Sequence, residues 1–575
     1  MSSGLEGGRP ALFAGLAGYQ RRWLRGDLVA GLTVWAVLVP ESLAYATIAG
    51  VPPVVGLYAA VPSLVLYAAL GSSRHLVVAS MSATAALSAS IVALYAEAGQ
   101  DHYVALTTAL AITTGVVALL AGVLRLGFVA AFVSEPVLKG FIVGLALTII
   151  AGQLPKLFGV PKGGDDFFSQ IAHLVAHLGD TQWRDLLVGV LSLVVVLGLR
   201  RWLPIVPGAL VAVLLGVAAV SVLGLSDEGV AIVGEIEAGL PAVGLPDVGL
   251  QDYLTLLGAS VGVMLIGFAE GLGAAKTYAA KAGYDIDANR ELIGLGAANL
   301  GSGLASGMVV NGSLSKTAVN GGAGARSQVS GLLVAGLTVI TLLFLTGLFE
   351  NLPEATLAAV VIAAVIELVD LPALVRLYRV WSGRLGGIYG WAARADFLAA
   401  LAALFGVLVF DTLPGLFIGI GVSIVLLVYR SSVARISTLV KLTREGLPPV
   451  WVDSDRHPDL GAPPGVLVVR VESGLFFANA DHVRDTVRRR VTGDTRLVVL
   501  DAETSPTIDV TATEMLAQLA KDLRRDDIEL RIAHGIGQTR DVLRRAGQDS
   551  GVLQRIYPSV DDAIADAAGG EPRHA

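Results

Sequence analysis

Cysteine is absent from all 575 residues, which excludes a disulfide framework, a thiol nucleophile and thiolate metal sites. Histidine is scarce, and the eight present are scattered without ligand spacing, so no metal or other cofactor is expected. Charge is scarce as well, with 15% of residues charged against 54% hydrophobic. That balance is far more apolar than a soluble globular average and points to a membrane protein. No basic cluster offsets the net charge of −7; neutralising phosphates needs a concentrated Lys/Arg surface, so nucleic acid is not an expected partner. No small-residue cleavage site follows Arg21, Arg22 and Arg25 in signal-peptide register, and the apolar run after them reads as a retained first span. Ser302 and Ser306 lack a His–Asp arrangement, and the glycine run 321–324 lacks the Gly-Lys-Ser/Thr of a phosphate loop. An enzyme is not expected.

The charges that do occur are unevenly placed, 40 of the 89 lying in residues 441–575. Two regions therefore occupy two solvents. Between Leu28 and Val428 about fourteen stretches reach the length and apolarity of a membrane span. Their centres fall near Val37, Val61, Leu87, Val116, Val143, Val195, Leu214, Met264, Leu295, Ala318, Ile340, Val361, Ala403 and Ile424, the third and tenth being short and rich in Ser, Gly and Asn. Lys and Arg collect in alternate loops, at Arg21/Arg22/Arg25, Arg74, Arg125, Arg200/Arg201, Lys276/Lys281/Arg290, Arg326, Arg376/Arg379/Arg384/Arg394 and Arg430. The facing stretches 97–102, 226–252, 349–354 and 411–414 have none. The connection 153–185, with Lys156, Lys162, Arg184, Asp165 and Asp166, is a long loop of the kind that follows the charge rule poorly. This pattern predicts a multi-pass protein of the cell membrane with both termini cytoplasmic. Two sevens would place the second half upside down, and the spacing agrees: Glu41 precedes Ser80 by 39 residues and Glu270 precedes Ser313 by 43. Residues 447–449 and 461–464 are Pro-rich and read as linker; strands at 466–471, 497–500 and 528–532 then alternate with helices at 482–490, 513–525 and 539–546. That alternation is a small α/β domain.

Ionisable groups at membrane depth are functional candidates because burying them is costly. Glu41 follows Pro40, which can break the first helix. Glu270 stands in an otherwise uncharged span and could titrate, hold a cation, or pair with Lys316. Residues 309–317 begin with β-branched Val309 and Val310, turn at Asn311-Gly312, and offer Ser313 as the N-cap of a short helix containing Ser315 and Lys316. Residues 76–84 have similar form, with Leu76-Val77-Val78 extended and Ser80, Ser82 and Thr84 at a helix start. Two half-helix N-termini facing each other would favour a small anion, and Lys316 would add a positive charge.

These residues carry a family likeness. The runs 30–33 and 44–46, Gly50-Val51-Pro52-Pro53 with Gly56-Leu57-Tyr58, Gly71-Ser72-Ser73-Arg74-His75, and 312–320 resemble the SulP (sulfate permease) family of anion transporters. The resemblance implies an all-α polytopic domain of two inverted seven-span repeats forming core and gate, moving as an elevator with the anion between spans 3 and 10. It also implies a homodimer and a C-terminal STAS domain. Glu41 replaces the family's usual Gln, Lys316 a frequent Arg, and Ala79-Ser80 a frequent Gly-Pro; Val510 stands where related regulators carry a phosphorylatable Ser. The expected organisation is a cytoplasmic segment 1–26, a transmembrane anion-transport domain 27–432, a linker 433–464, a cytoplasmic STAS domain 465–570 and a tail 571–575. The expected function is secondary transport of sulfate coupled to H⁺ or Na⁺ through Glu270. Bicarbonate is the runner-up, chloride, nitrate and dicarboxylates follow, and a membrane-anchored STAS signalling protein is the reading from another class.

Overall fold

The structure, a computed structural model, describes residues 12–16, 18–98, 100–128, 134–164, 166–203, 206–234, 236, 238–366, 369–382, 388–410, 412–444, 447–535, 537–546 and 556–566. Asp165, Arg384, Asp411 and the tail 571–575 lie outside them. The chain forms two compact units, a large helical one and a smaller α/β one that includes the chain from Ile424.

The helical unit opens with α1 (Leu24–Ile48), α2 (Val54–Leu70), the short strand β1 (Val77–Ala79), α3 (Ser82–Val92), α4 (Asp101–Val123) and α5 (Glu135–Phe158). There follow α6 (Phe167–Ala176), α7 (Trp183–Trp202), α8 (Gly208–Leu223), α9 (Leu250–Ala282) and α10 (Ala288–Leu304). Strand β2 (Asn311–Ser313) leads into α11 (Leu314–Gly322), then α12 (Val329–Ile340), α13 (Glu354–Ile366), α14 (Leu371–Ser382), α15 (Ile388–Phe410) and α16 (Thr412–Ser432). Every apolar centre read from the sequence lies in a helix. Among the described residues, six helices are long and apolar enough to cross a membrane and six more are shorter apolar helices. Helix α6 is a single short helix within the long loop, capped by Asp166, whose carboxylate accepts from the amides of Phe168 and Ser169. Pro40 does not break α1, which runs on through it for 25 residues; proline removes one amide donor, and the neighbouring turns hold.

Small residues let the helices of this unit approach closely, as expected where both sides are apolar and packing supplies the attraction. Helix α10 packs against α4 and α2. Its Gly296 faces Gly115 of α4 backbone to backbone, and a methyl group at either position would meet the other helix's main chain.

The second unit is a six-stranded sheet of order β4-β3-β5-β6-β7-β8, with β3 (Ile436–Arg444), β4 (Leu447–Asp453), β5 (Val466–Val471), β6 (Leu497–Asp501), β7 (Glu529–Ala533) and β8 (Ile556–Tyr557). Strands β5 to β8 run parallel, and β3 is antiparallel to both β4 and β5. Helices α17 (Ala480–Arg490), α18 (Val510–Arg525), α19 (Gly537–Ala546) and α20 (Val560–Ala565) complete it. Each strand and helix expected beyond residue 465 is present. The expected linker 433–464 is corrected: β3 and β4 lie within it and belong to the sheet. Pro448 and Pro449 suggested a linker, but they sit in the edge strand β4 where its register with β3 shifts, between the paired residues Leu447 and Val450. Asp509 is the N-cap of α18, accepting from the Ala512 amide at 2.8 Å, and the exposed Val510 is the helix's first residue.

Candidate functional site

The centre of the helical unit is a two-stranded ribbon. Val77 pairs with Ser313, Val78 with Gly312 and Ala79 with Asn311, antiparallel. The expected turn at Asn311-Gly312 is therefore corrected to extended strand, held there by β1. Antiparallel pairing sends α3 and α11 away in opposite directions, so their N-termini lie at the two ends of one ribbon. The predicted cap is present: Ser313 Oγ accepts from the Lys316 amide at 3.2 Å, leaving the amides of Leu314 and Ser315 without that cap. At α3 the N-cap is Met81 rather than Ser80, and it offers no side-chain acceptor to the first-turn amides. Ser80 stays in the extended segment and donates its hydroxyl to Ser42 Oγ at 3.1 Å.

Unpaired backbone groups on a ribbon edge inside a membrane have no water to turn to. Side chains from the surrounding helices take them up. Thr317 Oγ1 accepts from the Val77 amide at 3.1 Å, and Ser63 Oγ donates to the Val78 carbonyl at 3.1 Å. Asn299 holds both groups of Val310, donating to its carbonyl at 2.9 Å and accepting from its amide at 3.0 Å. Gln328 donates to the carbonyls of Ser73 and Leu76, and Asn320 to that of His75, each at 2.9 Å. Ser302, which lacks catalytic partners in sequence, donates to the Met308 carbonyl.

Lys316 is 1% exposed, and its ammonium lies 2.7 Å from Glu41 Oε2 and 3.2 Å from the Ser80 carbonyl it donates to. The ring of Tyr45 lies 4.8 Å from it. Glu41 Oε2 accepts no well-aligned hydrogen bond, so the contact is an ion pair first. Of the three roles open to Glu270, pairing with Lys316 is not the one found: among the described residues Lys316 pairs with Glu41. Glu270 is partly buried on α9, its Oε2 buried without a hydrogen-bond partner. One residue on, Gly271 lets α9 reach the ribbon, and a Cβ at Gly312 would come within 2.9 Å of Gly271 Cα. Asn311 is buried with Nδ2 unpartnered; it and Thr114, whose Oγ1 is also unpartnered, line a cavity of ≈10 Å³.

The structure brings together Ser80, Lys316 and Glu41, and also Ser313 with Ser315, whose hydroxyls lie 3.2 Å apart. Ser82 and Thr84 are buried in the first turn of α3, where Thr84 donates to the Met81 carbonyl at 3.3 Å, with no side-chain contact to Lys316. Among the buried carboxylates missed in sequence are Glu291 and Asp27. Glu291 accepts from Tyr67 at 2.7 Å, from the Ser72 amide and hydroxyl, and from the Ser73 amide. Asp27 accepts from the Arg326 and Ser327 amides and the Ser327 hydroxyl. Both stand near helix ends, where an acid is unremarkable.

The sulfate permease family profile matches residues 24–384 and the STAS domain profile residues 457–563. The chain belongs to the sulfate permease family. Relatives of this sulfate permease family member include a "Probable sulfate transporter" of Mycobacterium tuberculosis (strain ATCC 25618 / H37Rv), 36% identical over 534 residues, 92% of each chain. Sulfate transporter 1.3 of Arabidopsis thaliana is 30% identical over 90% of this chain and 80% of its own. Among solved structures, the murine Solute Carrier 26 family member A9 anion transporter in the inward-facing state matches at TM-score 0.87 and 22% identity, over 97% of this chain and 94% of that one. The transmembrane domain of a cyanobacterial bicarbonate transporter matches at TM-score 0.58 and 22% identity, over 70% and 98%. The sulfate permease fold is thus a mostly helical membrane domain with a small α/β STAS domain.

Proposed function

We propose that the protein is a secondary active transporter of a small inorganic anion, with sulfate first among the candidates. The observation that carries this is the β1–β2 ribbon with a helix N-terminus at each end, since free amides and helix dipoles in a water-poor interior favour an anion. The relatives' names favour sulfate. In this reading α3 and α11 are the third and tenth of fourteen spans in two inverted sevens, which also pairs α1 with α9. These four helices pack on one another around the ribbon, and they carry Glu41 and Glu270. The ribbon travels with a core domain past a gate in an elevator movement, both termini are cytoplasmic, and the protein works as a homodimer in the cell membrane. The anion would meet Ser80, Ser82, Thr84, Asn311, Ser313 and Ser315.

Lys316 does not offer a free positive charge here, because Glu41 neutralises it. An arriving anion must share Lys316 with Glu41. Glu270 remains the proposed carrier of H⁺ or Na⁺: an unpartnered buried carboxylate oxygen is costly unless it takes a proton or faces a cation. The test is uptake of labelled anions into proteoliposomes under imposed H⁺ or Na⁺ gradients, with sulfate, bicarbonate, chloride, nitrate and dicarboxylates compared. Gradient-driven sulfate accumulation supports the proposal; uptake of none of these anions overturns it and favours a STAS signalling role.

A further inference from the structure

The Gly71–His75 motif stands before the ribbon and borders a distinct feature. Arg74 lines a pocket of ≈610 Å³ together with Arg22, Trp23, Tyr284 and Arg326. The three arginines come from separated parts of the chain: Arg22 leads into α1, Arg74 stands just before β1, and Arg326 just after α11. None of the three guanidinium groups is paired with a carboxylate among the described residues. Arg74 lies over the Tyr284 ring at 5.2 Å. The nearby carboxylate of Asp27 is occupied by the amides of Arg326 and Ser327 and the Ser327 hydroxyl. The turn itself is fixed by Tyr284, whose hydroxyl accepts from the Arg74 amide at 3.0 Å.

Three arginines line this pocket, while the neighbouring carboxylates of Asp27 and Glu291 are engaged by backbone amides and hydroxyls, so the pocket is positive; its volume suits a ligand of small-molecule size rather than a lone inorganic ion. Its location narrows the ligand further. Leu24, Leu28 and Leu32 are exposed and stand one turn apart on α1, forming an apolar stripe that starts beside Arg22. Trp23 lines the pocket at that level, and tryptophan is characteristic of the membrane–water interface. A ligand with a phosphate in the pocket and hydrocarbon along the stripe satisfies both features.

We propose that the pocket bounded by Arg22, Arg74 and Arg326 holds the phosphate of an anionic phospholipid headgroup, its acyl chains lying along Leu24, Leu28 and Leu32. A bound headgroup ties the segment before β1 and the segment after α11 to the start of α1. Arg22 and Arg326 are exposed and their side chains make no hydrogen bond in the described structure, so an Arg22→Gln/Arg326→Gln protein keeps its fold. Native mass spectrometry of the full chain with phosphatidylglycerol and phosphatidylcholine reads the effect, with glycerol phosphate as soluble competitor and melting temperature as fold control.

The expected result is preferential retention of phosphatidylglycerol by the parent, reduced about fivefold per arginine and so about twenty-five-fold in the double variant. Arg21→Gln/Arg25→Gln, which changes two arginines that do not line the pocket, should leave retention near the parent value. Equal losses in the two double variants would reduce the effect to surface charge and overturn the site. Glycerol phosphate displacing the lipid completely at equal concentration would overturn the lipid assignment in favour of a soluble phosphate ester. If the double variant melts early, phosphatidylglycerol retained by the parent no better than phosphatidylcholine refutes the site by itself.

Discussion

The ammonium of Lys316 lies 2.7 Å from the carboxylate of Glu41, so two helices distant in sequence meet at the ribbon as a buried ion pair. Removing one partner strands the other. Lys316→Gln is expected to lower stability by about 3–5 kcal/mol, and Lys316→Gln/Glu41→Gln to recover most of that loss. Melting of the purified variants checks this. A single Lys316→Gln protein as stable as the parent would show that the pair is not closed in the folded protein.

Glu41→Gln leaves Lys316 without its counter-charge and available to the anion. Sulfate affinity should rise, because no carboxylate competes for Lys316 any longer. Calorimetric titration of sulfate against the parent and the variant checks this; unchanged or weaker binding in a folded variant would show that Glu41 does not compete with the anion.

Glu270→Gln keeps the side chain's size and removes its titration. The variant should insert, bind anion and equilibrate it, yet fail to accumulate it under the gradient that drives the parent. An acid-outside gradient that drives uptake in the parent but not in the variant identifies a proton on Glu270; a sodium gradient with the same contrast identifies Na⁺. A variant still driven by the gradient would move the coupling role to Glu41.

Gly312→Ala tests the ribbon's closeness to α9. The added Cβ would come within 2.9 Å of Gly271 Cα, which is backbone and cannot swing away. Overpacking of this kind costs about 1–3 kcal/mol, and transport should fall further than stability because both half-helices hang from this ribbon. Transport equal to the parent's would mean the ribbon has room the structure does not show.

Deleting residues from Gly461 onward leaves β3 and β4 without β5, so Ile436 and Leu439 lose the partners that bury them. That protein should aggregate more than one truncated from Val433, whose cut falls just after α16. Size-exclusion profiles of the two truncations decide the point, and the reverse order would place β3 outside the soluble folding unit.

The helices were legible in the sequence because apolar length is a strong signal at membrane depth, and the Ser313 cap because a β-branched pair, Asn-Gly and Ser precede a short helical run. Four things were not legible. Asn311-Gly312 reads as a turn, and only pairing with Val77–Ala79, more than two hundred residues away, makes it a strand. Glu270, not Glu41, was the partner the sequence offered for Lys316, since neither spacing nor composition says which span lies next to α11. The residues that satisfy the ribbon edge, Asn299, Thr317, Ser63 and Gln328, are uncharged and scattered, and nothing local distinguishes them from residues that ease helix packing. The linker was misread because Pro448-Pro449 has the same composition on an edge strand as in a loop.

The natural absence of cysteine opens the most direct test of the central claim, that the anion lies between the starts of α3 and α11. Ser315 is exposed in the first turn of α11, and a Ser315→Cys protein carries a single thiol whose rate of modification by a charged methanethiosulfonate can be followed. Sulfate is predicted to slow that rate with the same concentration dependence as its transport, while a Thr492→Cys thiol in the soluble unit reacts at an unchanged rate. Modification of the Ser315→Cys protein at full speed under saturating, actively transported sulfate would contradict the account.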